Sequence, residues 1–388
     1  MMKADIKIEY ADGTPVAVLR MKEKMEVLSS AVTNHGNAVT DTFMIMEVPK
    51  RYDSEDWLGD IEKVRKKLGL PAHTVGFMTA AEVEFVTAFK ETDFEGMGTC
   101  ALATAGTGNR TVAGNEIFDM EERLDRSVEK EKRIRAGKRL PIGTINIIAF
   151  SPVPLTDAAK VNALIVLTEA KTAAMRMRGF EETGTTSDAL AIVSPVKGER
   201  ATYCGTGTSL GISLARSVRE AVHWSLVKRN DRPEPGTFIG QLESMGITRE
   251  GMWEAATEIY VPNPDWDTEE LKSIFMSLLE VYSKDINASS LIQAAMELER
   301  LGNRDMICAM PEGMYETDPI HLIADEILGM QLAQYISGTR GIFEFHRFDR
   351  HKPGIIKKLG PFMDDIICGL VGGIMSSVYT KMFGGDAS

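Results

Sequence analysis

Cysteine is scarce in this 388-residue chain: Cys100, Cys204, Cys308 and Cys368 stand far apart, with no CxxC pair. That spacing disfavours a zinc site and a disulfide framework, and it suits a reducing compartment. Long apolar runs are also missing. The longest, residues 366–375, falls short of the roughly 18 residues a bilayer span needs, and the opening MMKADIKIEY lacks the apolar stretch of a secretory signal. The expectation is a cytoplasmic protein without a membrane span. Basic clusters are few, since the formal charge is −12 and the pI about 5.2. With no basic tail to neutralise a phosphate backbone, nucleic acid is not an expected partner and small molecules are. No internal repeat is visible. The sequence sets no oligomeric state, so a homo-oligomer is compatible with it.

What is present is ordinary globular composition, 44% hydrophobic and 26% charged, in a chain long enough for two domains. KRNDRPEPGTF (228–238) is the best boundary, because two prolines and a glycine follow a helical pattern there. It separates domains over 1–230 and 236–388. In the first, short apolar or β-branched stretches (KIEY, VAVL, FMIMEV, GTINIIAF, ALAIVS) alternate with glycine-rich turns and three helical patterns, which predicts a mixed α/β fold. In the second, SMGITREGMWEAATEIY, PDWDTEELKSIFMSLLEVYSK and ASSLIQAAMELERLG all carry the helical period, which predicts an all-α helical bundle. Residues 120–140 are dense in i,i+4 Glu–Arg pairs and read as an exposed, salt-bridged helix.

The stretch HRFDRHKPGIIKKLGPFMDDI (346–366) gathers His346, Arg347, Arg350, His351 and Lys352 around Asp349, then sets Asp364 beside Asp365. Phosphate wants Arg or Lys, and magnesium wants carboxylate oxygens. Just upstream, Asp318 reads as a cap and Pro319 as the first turn of a helix, which places Asp325 and Glu326 in mid-helix beside Leu322, Met330 and Leu332. A carboxylate buried there needs a cation. Asp364 and Asp365 open the next helix, where acids also serve as N-terminal charge.

The run ETDPIHLIADEILGMQLAQYISG, then FDRHKPGII, then FMDDIICGL, resembles the phosphatidylglycerophosphatase A-type superfamily, an all-helical group of magnesium-dependent phosphatases, over about 236–386. The resemblance implies Asp325, Glu326, Asp364 and Asp365 as magnesium ligands and Asp349 and Lys352 as catalytic groups, and Arg350 of the cationic cluster is the candidate phosphate-binding neighbour. The extra apolar spans of membrane members are absent, which favours a soluble phosphate ester over a lipid.

The first domain has its own polar blocks: VLSSAVTNHGN (27–37), LATAGTGNRTVAGN (102–115), GTINIIAFSP (143–152), LTEAKTAA (167–174), TGTTSDALAIVSP (183–195) and YCGTGTSLG (203–211). Such turns present N–H groups and hydroxyls to polar ligands. Within the helical pattern at 156–178, Glu169 and Lys171 fall on different faces, so each needs its own partner. Taken in order, the blocks closely resemble the adenosylcobinamide amidohydrolase family. That resemblance implies removal of the aminopropanol arm of adenosylcobinamide by amide hydrolysis, with the corrinoid as substrate and not as cofactor. Ser187 replaces the family's usual Thr before Asp188, and 116–140 is a longer charged insertion than expected.

Amide hydrolysis calls for an activated water or nucleophile, oxyanion donors and a proton for the leaving amine. Glu169 or Asp188 fits the base, Lys171 an electrostatic stabiliser, and Asn34, Asn109 or Asn146 the donors, with Ser29 and Thr206 lining the substrate. Thr104 is the rival nucleophile, but an internal threonine lacks the free N-terminus that usually activates one. Cys100, Cys204 and His35 are weaker candidates. Together the two resemblances imply a bifunctional corrinoid-salvage enzyme of archaeal type, whose phosphatase acts on α-ribazole 5′-phosphate. A non-catalytic corrinoid-binding scaffold and a general phosphatase with a regulatory domain are the competing readings.

Overall fold

The computed structural model describes residues 4–50, 52, 54–115, 144–233 and 236–384. The charged segment at 120–140 lies outside the described residues. The chain divides into two compact units between Pro233 and Glu234.

The first unit is mixed α/β, in keeping with its alternating pattern. Its strands are β1 (Ala4–Ala11), β2 (Thr14–Ser29), β3 (Gly36–Glu47), β4 (Val75–Thr79), β5 (Ala88–Phe94), β6 (Met97–Thr104), β7 (Arg110–Thr111), β8 (Asn146–Phe150), β9 (Gly184–Thr185) and β10 (Ala189–Pro195). Eight form one sheet in the order β4-β3-β2-β10-β8-β6-β5, with β1 also on β2, while β7 and β9 pair separately. Asp12-Gly13 and Glu95-Gly96 have positive φ at both positions, the two-residue turn that matches strand twist, and they close the β1–β2 and β5–β6 hairpins. The helices are α1 (Trp57–Lys67), α2 (Val83–Val86), α3 (Asp157–Met177) and α4 (Ser209–Lys228). Thr156 and Thr208 cap α3 and α4 through their hydroxyls.

The sheet curls upon itself. Phe43 of β3 and Phe150 of β8 meet edge to face at 5.8 Å, although β2 and β10 lie between their strands. The inner face buries Leu19, Val27, Phe77, Leu102, Ile148 and Val193. On the outer face, alanines and leucines of α3 and α4 pack against Ala101, Ile147 and Ile192.

The second unit is all-helical: α5 (Phe238–Ser244), α6 (Arg249–Glu258), α7 (Thr268–Tyr282), α8 (Ile286–Gly302), α9 (Ala324–His351) and α10 (Pro361–Met382). The periodic stretch from Ser244 breaks at Gly246, whose φ of +85° ends one helix before Thr248 caps the next. By length and composition α10 is apolar enough to cross a membrane, but it is almost wholly buried within the second unit, as a core helix is.

One expectation is corrected here. The helix carrying Asp325 and Glu326 begins at Ala324, and not at Pro319. Asp318 takes a left-handed φ of +46° at the end of a 3-10 turn, which turns the chain away from the helix axis instead of capping it. Asp325 and Glu326 therefore lie in the first turn, where acids suit the helix N-terminus. Their burial, and not a mid-helix position, is what requires a partner.

Two candidate active sites

In the second unit, α9 and α10 pack closely through glycine. One turn beyond Asp365, a Cβ on Gly369 would overlap the backbone of Gly329, which itself lies one turn beyond Asp325. This approach draws the first turns together, so that ligand atoms of Asp325, Glu326 and Asp365 lie within 4.8 Å of one another. Asp325 and Asp365 are 2% and 3% exposed. Burial, then the adjacent Glu326, pushes the Asp325 carboxyl up to about 8. Burial, then Asp364 and Asp349, pushes Asp365 up to about 9. Oδ1 of Asp365 and Oε2 of Glu326 are buried without a hydrogen-bond partner. Carboxyls crowded and buried to this degree hold protons at neutral pH, and a hard divalent cation that displaces those protons supplies the missing partner.

Asp364 stands apart from this trio. Its Oδ2 accepts from Lys352 Nζ at 2.5 Å, and the same ammonium lies 3.7 Å from Asp318. Burial raises Asp364 to about 6 despite that partner. Of the four expected ligands three converge, while Asp364 tethers the lysine through Oδ2 and keeps a buried, unpartnered Oδ1. Asp349 is half-buried near Asp364 and Asp365, and Arg350 is exposed. Asp318, which the sequence offered only as a cap, is the lysine's second partner.

In the first unit the candidate residues also divide. Thr104 and Asn146 are cross-strand partners at the ends of β6 and β8 on the sheet's inner face, both fully buried. Asn146 Nδ2 donates to Met78 O at 3.0 Å and reaches Thr104 Oγ1 at 3.5 Å, while its Oδ1 is buried and unpartnered. Ser29, 7% exposed, ends β2 opposite Ala191. Asn34, at φ +49°, has both amide hydrogens committed to Ala72 O and Thr74 O, and Asn109 Nδ2 donates to Thr186 and Ser187. The amide donors expected for an oxyanion are therefore already engaged. What Asn109 and Asn146 leave open is an acceptor oxygen each.

On the outer side, the buried Lys171 of α3 donates to Asp188 Oδ2. Asp188 also accepts from Thr185 N at 3.1 Å, Thr185 Oγ1 at 2.5 Å and Ile145 N at 3.3 Å. Both of its oxygens are occupied, so it ties α3 to the starts of β8 and β10 and is poorly placed to take a proton. Thr185, the partner missed by the sequence reading, was signalled only by lying three residues before an aspartate. Glu169 is exposed and forms no hydrogen bond or ion pair among the described residues. Thr206 is exposed as well. Cys100 and Cys204 are pushed up to about 12 by burial, which makes them poor nucleophiles.

Residues 2–234 match the family described as adenosylcobinamide amidohydrolase. Residues 303–380 match that of phosphatidylglycerophosphatase A, a narrower span than the sequence motifs implied. An uncharacterized protein of Methanocaldococcus jannaschii is 35% identical over 133 residues, covering 32% of this chain and 98% of that protein. The adenosylcobinamide amidohydrolase of Halobacterium salinarum is 43% identical over 95 residues, 24% of this chain and 40% of that protein. Among solved structures, protein ypjQ of Bacillus subtilis is 23% identical with a TM-score of 0.32, over 38% of this chain and 92% of its own.

Proposed function

We propose that this chain, which belongs to the adenosylcobinamide amidohydrolase family, hydrolyses adenosylcobinamide to adenosylcobyric acid and aminopropanol, and dephosphorylates α-ribazole 5′-phosphate with its second unit. The chain is a hydrolytic enzyme with amidohydrolase and phosphatase domains. The two named substrates are our reading.

The observation that carries the amidase reading is the buried, unpartnered Oδ1 of Asn146 beside the Thr104 hydroxyl. A buried acceptor seeks a donor, and the hydrogen of a hydrolytic water or of the scissile amide supplies one. In the reaction the C–N bond breaks, the water oxygen joins the carbonyl carbon, and its proton passes to the leaving aminopropanol. Lys171 and Asp188 hold the strand ends that present these groups. Glu169, on the solvent side of α3, is not placed to act on the inner face.

For the phosphatase, Asp325, Glu326 and Asp365 would hold magnesium, since their clustered carboxyl oxygens, two of them without a hydrogen-bond partner, fit that ion. Bound there, magnesium would withdraw charge from the phosphoryl oxygens. Lys352, fixed by Asp364, places a cation beside the same first turn for the ester phosphate.

The test gives the full chain each substrate in turn. Mass spectrometry should find adenosylcobyric acid, and phosphate release from α-ribazole 5′-phosphate should require magnesium. EDTA should stop the second reaction and spare the first. Absence of adenosylcobyric acid would overturn the amidase reading, and magnesium-independent phosphate release would overturn the metal assignment.

A further inference from the structure

The helix α10, which carries Asp364 and Asp365, begins without a side-chain cap of its own, because Gly360 occupies the cap position and Pro361 the first turn. Helix N-termini leave N–H groups that need acceptors. One of them, the Met363 N–H, is shared between Gly360 O at 3.0 Å and Glu299 Oε2 at 3.2 Å. Glu299 belongs to α8, far away in sequence, and is 7% exposed. Its carboxylate also accepts from the Tyr315 hydroxyl at 2.7 Å and from Asn303 Nδ2 at 3.3 Å. Gly360 admits this group, since a Cβ there would overlap the Glu299 carboxylate. Tyr315 in turn stacks on Phe362, with ring centroids 6.2 Å apart, and lies so close over Gly302 that a Cβ on that glycine would overlap the ring. Glu299, Tyr315 and two glycines thus bracket the turn that immediately precedes the aspartate pair.

We propose that Glu299 is a positioning residue for the phosphatase site: it serves as the N-cap that α10 lacks and fixes the turn from which Asp365 meets Asp325 and Glu326, and Asp364 meets Lys352. A carboxylate suits this place because it meets both the Met363 N–H and the positive end of the helix. The inference rests on reading the carboxylate trio as the phosphatase metal site. Glu299 itself lies before residue 303, where the phosphatase match begins.

The experiment compares full-length wild type with Glu299→Ala, Glu299→Gln and Tyr315→Phe. Manganese binding is measured by calorimetry, and kcat and KM on α-ribazole 5′-phosphate are measured alongside. Glu299→Ala should weaken manganese binding by about tenfold or more and lower kcat with KM little changed, because a displaced ligand acts on metal and chemistry and not on substrate affinity. Glu299→Gln keeps an acceptor for the Met363 N–H and should stay within about threefold of wild type. Tyr315→Phe removes one donor and should shift manganese affinity the same way by a smaller factor. If Glu299→Ala fails to fold, Tyr315→Phe decides: unchanged manganese affinity there overturns the proposal. Wild-type affinity and kcat in a folded Glu299→Ala also overturn it. A wild type that binds no manganese refutes the metal-site reading itself, and this inference with it.

Discussion

Replacing Asp188 by Asn separates a structural role from a catalytic one. Lys171 and Asp188 are 8% and 12% exposed at their side chains, so the substitution leaves an ammonium buried without its counter-charge. Removing one partner of a buried ion pair costs about 3–5 kcal/mol, mostly through the stranded charge. The Asn oxygen still accepts from Thr185 or Ile145, which puts the expected cost near the lower end, about 3 kcal/mol. For a unit of this size each kcal/mol lowers the midpoint by about 2–4 °C, so its melting transition should fall by about 6–12 °C. The double variant Lys171→Met, Asp188→Asn removes both charges while keeping an acceptor for Thr185 and Ile145, and should recover much of that loss because no buried charge is left without its partner. Calorimetry of the full chain reads the transition, and adenosylcobyric acid formation is assayed well below it. If the pair only holds the strand ends, the folded double variant keeps appreciable turnover. A loss of about 100-fold or more in that variant would instead put the pair in the reaction itself, Asp188 as base or Lys171 as stabiliser. A single variant melting within about 1 °C of wild type would refute the structural reasoning altogether. Glu169→Gln is the control: exposed, and with no partner among the described residues, it should change stability by under about 0.5 kcal/mol and leave turnover near wild type.

Asp365→Asn and Asp325→Asn should each lower phosphate release by about 100-fold or more and raise the magnesium needed for half-activity, while amide hydrolysis is unchanged. Unaltered magnesium dependence in both variants would exclude a shared metal. Glu26 gives a pH test. The Arg200 hydrogen bond, opposed by burial and helped by Lys160, lowers its carboxyl from 4.5 to about 2. A depressed folded value means stability that is complete above about pH 4.5 and lost as pH falls towards about 2. The loss is at most about 3 kcal/mol, reduced further because Arg200 is partly in water. Urea unfolding of Glu26→Gln should show a flatter pH profile across that window than wild type, and identical profiles would remove Glu26 as its source.

Local order was written in the sequence. Apolar, partly β-branched runs such as FMIMEV and ALAIVS, the Asp12-Gly13 turn, and Thr or Asp caps before helical periods all act over a few residues, so β3, β10, the first hairpin and helices α3 and α7 follow from neighbours alone. The carboxylates of the second unit were legible too, because so many acids and cations in one apolar helical segment demand a common partner. Tertiary structure decided which of them meet. Asp325 and Asp365 converge because glycines at 329 and 369 let two backbones approach, and no periodicity encodes that distance. Asp364 went to Lys352 for the same reason, since the left-handed turn at Lys352 aims its side chain only once α10 is docked. The start of α9 was misread because Asp318 and Pro319 satisfy a local capping pattern, whereas the chain there is held in a left-handed turn. In the first unit, curling of the sheet put Thr104 and Asn146 inside and left Lys171 and Asp188 outside. Blocks adjacent in sequence were thereby assigned different work, because the face a strand residue occupies has meaning only after the sheet has closed around it.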